Sequence, residues 1–181
     1  MTAGPYKGLA PFEDSDFDAL LFFGRERDRD VIVANLMAAR LTVLYGPTGV
    51  GKSSILRAGV AHGLRRETGV GVVVFDSWTG DPIAGILEAA HAGQPFVEGL
   101  RGAAAEAGGD LYLVLDQFEE YFLYHEEDDG RGTLAWELPE LLLRRDVRVN
   151  VLLATREDAL ARLDAFKGRI PNLFGNYLRL D

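Results

Sequence analysis

The segment Gly46-Pro47-Thr48-Gly49-Val50-Gly51-Lys52-Ser53 constrains this chain more than any other. It has the form G-x-x-x-x-G-K-S. An apolar run, Leu41-Thr42-Val43-Leu44-Tyr45, leads into it, and Ser54-Ile55-Leu56-Arg57-Ala58 follows with helical character. Strand, glycine-rich loop and helix, in that order, are the setting in which such a loop cradles phosphates. With Gly at 21 of 181 positions, roughly 0.002 chance matches to the pattern are expected.

The residue types explain the chemistry. A polyphosphate concentrates negative charge and needs many donors close together. Glycines let the backbone curl until successive N–H groups point inward. Gly49 and Gly51 have no Cβ, so they can adopt positive φ and let a phosphate approach. A helix starting near Lys52 adds unpaired N–H groups and the positive end of its dipole, which brings Ser54 of the first turn into the set. Lys52 would bridge the β- and γ-phosphates as a point charge. The Ser53 hydroxyl would ligate Mg²⁺.

The rest of the composition narrows the class. The length suits one domain with a real core. There is no cysteine, hence no disulfide framework and no thiolate metal site. No apolar run is long enough to cross a bilayer, and the amino terminus lacks a charged-then-apolar signal pattern. A cytoplasmic location and no membrane partner are expected. The net charge of −9 argues against general nucleic-acid binding, which needs a basic face.

Periodicity predicts strands over 41–45, 70–75, 111–115, 147–155 and 177–180. It predicts helices over 25–40, 53–67, 81–91, 95–107, 118–124, 133–145 and 157–166. Pro139 predicts a kink or split in the helix over 133–145. Residues 1–24 read as an ordered, irregular leader, and 126–132 as an acidic, solvated turn. Alternating strands and helices imply a parallel sheet with helices on both faces. Ligands in such sheets sit beyond the carboxyl ends of the strands, where the phosphate loop, Asp116 and Arg156 all fall.

Leu111-Tyr112-Leu113-Val114-Leu115-Asp116 is an apolar strand ending in a carboxylate. Downstream of a phosphate loop this is the Walker B pattern, whose aspartate holds Mg²⁺ opposite the Ser53 side. Glu119 and Glu120 follow. One of them would orient or deprotonate the attacking water, Glu120 favoured over Glu119; the other reading is a charge in a first helical turn, favoured by the dipole. Arg156, just past a buried strand, would reach the γ-phosphate, or would pair with Glu157 or Asp158.

Gly24-Arg25-Glu26, the phosphate loop, the strand ending in Asp116 and the Thr155-Arg156 pair occur in the order seen in STAND NTPases, signal-transduction ATPases related to the AAA+ and NLR-type switches. Pro5-Tyr6-Lys7-Gly8-Leu9-Ala10-Pro11-Phe12 and Asp116-Gln117-Phe118-Glu119-Glu120 resemble the branch called novel STAND NTPase 1. The resemblance runs from Pro5 to about Leu180. It implies a P-loop NTPase fold, α/β, with a five-stranded parallel sheet of order 5-1-4-3-2. It implies an adenine nucleotide, ATP or ADP, with Mg²⁺, and it places Phe23, Gly24 and Arg25 on the adenine and ribose side. Arg156 would match the family's sensor arginine. Residues 25–181 would be the nucleotide-binding domain, without the helical and winged-helix extensions of larger members. Those members are switches, closed with ADP and assembling with ATP, so self-association or docking of further domains is expected.

The expected function is therefore an ATP/ADP-operated signalling switch with slow, Mg²⁺-dependent ATP hydrolysis. Two alternatives stand beside it. One is a scaffold that holds ADP without useful turnover. The other is a small-molecule kinase or GTPase on the same fold. A GTPase should carry an N-K-x-D segment, and neither Asn150 nor Asn172 is followed by Lys-x-Asp. A kinase lid would need arginines such as Arg144-Arg145, which a helix face explains as well. Trp78 and Trp136 read as core or interface, not as base-stacking platforms.

Overall fold

In the computed structural model, residues 24–181 are described; the leader, including Phe23 and the run over 5–12, lies outside them. Five strands form one sheet: β1 (Leu41–Gly46), β2 (Val70–Phe75), β3 (Asp110–Leu115), β4 (Val149–Arg156) and β5 (Tyr177–Arg179). Every pairing is parallel and the order is β2-β3-β4-β1-β5. That is the expected order read from the opposite edge. The central strands are near-continuous apolar runs, as strands covered on both faces must be; Leu111 to Leu115 are all buried.

One face carries α1 (Glu26–Ala38), which buries Ile32 and Leu36, and the helix that leaves the phosphate loop. This second helix, α2, is continuous over 52–64. It is α-helical at Lys52–Ser54, widens to a π-helical stretch at Ile55–Ala61, and closes as α-helix at His62–Leu64. The other face carries α3 (Pro82–Ala89), α4 (Phe96–Glu106), α5 (Tyr121–Tyr124), α6 (Leu134–Leu143) and a 3-10 helix over Glu157–Phe166. Asp81 starts α3: its Oδ1 accepts from Ile83 N at 2.9 Å and Ala84 N at 3.3 Å. Pro82 occupies the first turn, where its missing N–H is no loss.

Each face has its own core. Leu44, Ile55, Leu56, Val60, Leu64, Val114, Leu152 and Ala154 pack with α1 on one side. Val43, Leu113, Leu115, Val151 and Leu153 point the other way, against α3, α4, α6 and a cluster of rings. The strands alternate between the two, as the period of two requires.

Three local expectations are refined: Pro139 does not split its helix, residues 118–120 depart from helix, and 157–166 takes a particular helical form. Helix α6 runs unbroken through Pro139. The proline leaves the Ala135 carbonyl without its usual amide donor, and Arg169 Nη1 donates to that carbonyl at 3.3 Å. Residues 118–120 are turn, not helix. The chain is diverted there because Gln117 has φ 53° and Phe118 N donates to Ala154 O at 2.8 Å. The segment 157–166 is helical as expected, in 3-10 form. Its first two acidic residues are drawn aside, Glu157 toward Arg179 at 3.5 Å and Asp158 toward Arg156 at 2.6 Å. Among the described residues no helix is long and apolar enough to cross a membrane.

Candidate functional site

The phosphate loop leaves β1 at Gly46 and curls through Gly49 (φ 81°) and Gly51 (φ 90°), both in the left-handed region that favours glycine. Gly46 is needed for a different reason. A Cβ there would lie 2.3 Å from the Leu180 carbonyl oxygen, just past β5. Lys52 opens α2, and its buried ammonium donates to Gly46 O and Pro47 O, each at 2.9 Å. Burial lowers the Lys52 pKa, while the nearby Glu119 and Asp116 carboxylates work in the opposite sense. Ser53 and Ser54 follow in the same turn. Arg25 clasps the loop from outside: Nη1 donates to Val50 O at 3.0 Å and Nη2 to Asp181 O at 2.5 Å. Gly24 precedes it and is exposed.

Asp116 sits at the end of β3 and is only 1% exposed. Its Oδ1 accepts from Gln117 N at 2.9 Å. Its Oδ2 is buried with no hydrogen-bond partner of ordinary geometry among the described residues. Burial raises the Asp116 pKa; the Ser53 hydroxyl, the Gln117 N–H and the Arg57 guanidinium pull it down. A buried carboxylate oxygen left open, with a serine hydroxyl beside it, is the donor set a hard divalent cation takes. Among the described residues no cluster of three or more His, Cys, Asp or Glu could hold a metal by itself. The residues present therefore fit Mg²⁺ that draws its remaining oxygens from phosphate and water.

The two glutamates separate. Glu119 Oε2 accepts from the Arg156 backbone N at 3.1 Å, tying the turn after β3 to the end of β4. The Glu120 carboxyl is pushed up by partial burial and then by the Glu119, Asp76 and Asp116 charges. The Arg156 guanidinium is half-exposed and grips Asp158, with Nε–Oδ1 at 3.0 Å and Nη2–Oδ2 at 2.6 Å.

Sequence reasoning gave no role to Thr155. It is fully buried, opposite Tyr45 in the register, and its Oγ1 has no partner among the described residues. A hydroxyl ending a buried strand beside a phosphate loop was the available signal. The pair formed by Arg57, from the π-helical stretch, and Asp76, just past β2, was also missed. No local pattern marks two residues nineteen positions apart. A cavity of about 570 Å³ lies apart from all of these, between Lys167 and Gly175, with Lys167 its sole charged lining residue.

The same architecture occurs in solved structures. The Aeropyrum pernix ORC2 protein, solved in ADPNP–ADP complexes, superposes with a TM-score of 0.64 at 15% identity over 97% of this chain and 50% of that one. A Walker-type ATPase of Pyrococcus abyssi gives 0.63 at 18% identity over 96% and 56%. A chain of the E. coli HORMA:CdnC:Trip13 complex gives 0.57 at 14% identity over 91% and 65%. The present chain thus spans about half to two thirds of the length of these structures. No curated protein is significantly similar in sequence.

The fold and its glycine loop therefore define a P-loop NTPase of the α/β class. Within that class the chain belongs to the novel STAND NTPase 1 family, whose model matches residues 5–175.

Proposed function

We propose that this chain is the nucleotide-operated module of a STAND switch, binding ATP or ADP with Mg²⁺ and hydrolysing ATP slowly. One observation carries the reading: the buried Lys52 ammonium and the open Asp116 carboxylate flank Ser53 at the mouth of the phosphate loop. The loop from Gly46 through Ser54 supplies amides to the phosphates, and Lys52 offsets their charge. Ser53 and Asp116 would hold Mg²⁺, which would supply positive charge against the phosphates when bound. Glu120 accepts a proton from the attacking water, and Glu119 keeps the turn docked on β4. Gly24 and Arg25 line the base and ribose side.

Slow turnover follows from the arginines. The transition state needs more positive charge than one lysine provides, and Arg156 is engaged with Asp158. ORC2, a structural neighbour, was solved with adenine nucleotides, which supports adenine over guanine. Docking of further domains or self-association is supported by exposed Met37, Leu123, Tyr124 and Leu143.

Calorimetry with ATP and ADP plus Mg²⁺ on wild type and Lys52→Ala tests the reading. Binding by wild type and its loss in the variant are expected; equal heats in both proteins would sink it. Single-turnover hydrolysis with protein in excess separates the switch from an ADP-holding scaffold, for which no phosphate is released.

A further inference from the structure

Trp78 follows β2 in the stretch before α3, away from the glycine loop in sequence, and it is 1% exposed. Its indole Nε1 donates to the backbone carbonyl of Asp116 at 2.8 Å, and this bond is buried. Its ring meets Phe75 edge-on at 5.0 Å, Phe118 edge-on at 5.2 Å and Tyr121 at 5.8 Å. Phe118 in turn stacks on Tyr121 at 5.2 Å. Trp78's own carbonyl is held by His125 Nε2 at 2.7 Å. A carbonyl can only accept, so Nε2 carries the hydrogen. His125 Nδ1 lies 3.3 Å from Asp128.

These contacts surround a turn that needs support. Gln117 is a non-glycine residue at φ 53°. The turn carries Asp116 at its start and Glu119 and Glu120 at its end. A left-handed residue at such a place persists only when its surroundings over-determine it. Asp116 N is fixed to Phe75 O at 2.8 Å, Phe118 N to Ala154 O at 2.8 Å, and Asp116 O to the indole. The first two bonds are made by backbone groups, so a side-chain substitution does not delete them outright. The indole bond is the one of the three that a side chain supplies.

We infer that Trp78 is a positioning residue for the carboxylate turn: its N–H sets the direction of the Asp116 carbonyl, and with it the direction in which the open Asp116 oxygen faces. Phenylalanine would fill much of the ring space and could not donate. His125 holds the tryptophan from behind, so the support runs His125, Trp78, Asp116. Where the inference concerns the cation it rests on the proposed function, but the positioning claim itself does not.

The experiment has two arms. In the first, hydrogen–deuterium exchange is measured on nucleotide-free wild type, Trp78→Phe and His125→Ala. Faster exchange of the amides over 116–121 is expected in both variants, about tenfold for Trp78→Phe, as the loss of one buried hydrogen bond implies. Amides of β1 and α2 should be unchanged. Exchange at 116–121 equal to wild type in Trp78→Phe overturns the inference, whatever the nucleotide chemistry. An increase spread evenly over both faces of the sheet also overturns it, since it marks general destabilisation. In the second arm, ADP affinity is titrated with and without Mg²⁺. Trp78→Phe should retain Mg²⁺-free affinity and lose about tenfold of the tightening that Mg²⁺ brings. A Mg²⁺ effect in Trp78→Phe equal to that in wild type counts against the role toward the cation. Absence of ADP binding in wild type would instead remove the proposed function and leave the exchange result to decide the positioning claim.

Discussion

The two faces of the sheet are built from different materials. Among the described residues the α1–α2 face is aliphatic, with Tyr112 the sole ring in its buried core. The opposite face packs Phe75, Trp78, Phe96, Phe118, Tyr121 and Phe166 into one core. Each supports one half of the candidate site. Lys52 and Ser53 begin the helix laid on the aliphatic face, while Asp116, Glu119 and Glu120 occupy a turn braced by the rings. Aliphatic packing is non-directional and holds a helix by area. A ring with an N–H group, here Trp78, fixes orientation as well by donating to Asp116 O, which suits a turn that carries carboxylates. The halves should therefore fail differently.

The largest effect is expected at Phe118→Ala, which removes a fully buried ring: about 3–5 kcal/mol of stability by denaturant unfolding. Its nucleotide defect should appear mainly in the Mg²⁺-dependent part. Leu56→Ala on the other face should cost about 2–4 kcal/mol and weaken nucleotide binding with or without Mg²⁺. Identical Mg²⁺ dependence in the two variants would erase the distinction between the faces. Gly46→Ala comes next, at about 1–3 kcal/mol, because a backbone carbonyl must give way; unfolding and ADP titration read it.

Asp116→Asn tests the turn with a defined sign. Burial lifts the Asp116 pKa above its unfolded value. The carboxylate therefore weakens the fold at pH above that raised value, and the penalty fades as pH falls through it toward the ordinary carboxylate range. In EDTA the variant should melt higher than wild type at neutral pH, and the difference should close in acid. A gain that does not depend on pH would point to something other than the buried charge. The smallest effect belongs to Arg156→Ala. Its pair with Asp158 is half-exposed, so stability should change by about 0.5 kcal/mol or less, and any change in hydrolysis can be attributed to the site.

The aliphatic half was the more legible one in the sequence. The loop over 46–53, the valine-rich strands and the helix after Lys52 are local patterns, and their spacing alone indicates strand, loop and helix. Asp116 was legible because it ends an apolar run. The brace behind it was not. Trp78 and Asp116 are 38 positions apart, and nothing local distinguishes a tryptophan that donates to a carbonyl from one that fills a core. Glu119 and Glu120 stayed entangled because their separation depends on the φ of Gln117 and on an amide contributed by β4. The Arg169 bond that serves the carbonyl freed by Pro139 likewise comes from a partner distant in the chain.

The contact of Leu180 with Gly46 leaves no slack between the outermost strand and the loop. Arg25 adds a second tether, from Val50 to Asp181. Displacing β5 toward β1 by even the width of a methyl group must move the residue from which the loop springs. A tug transmitted along the chain into 177–181 would thus reach the phosphate grip directly, whereas Asp116, with β4 and β1 in between, would feel it last.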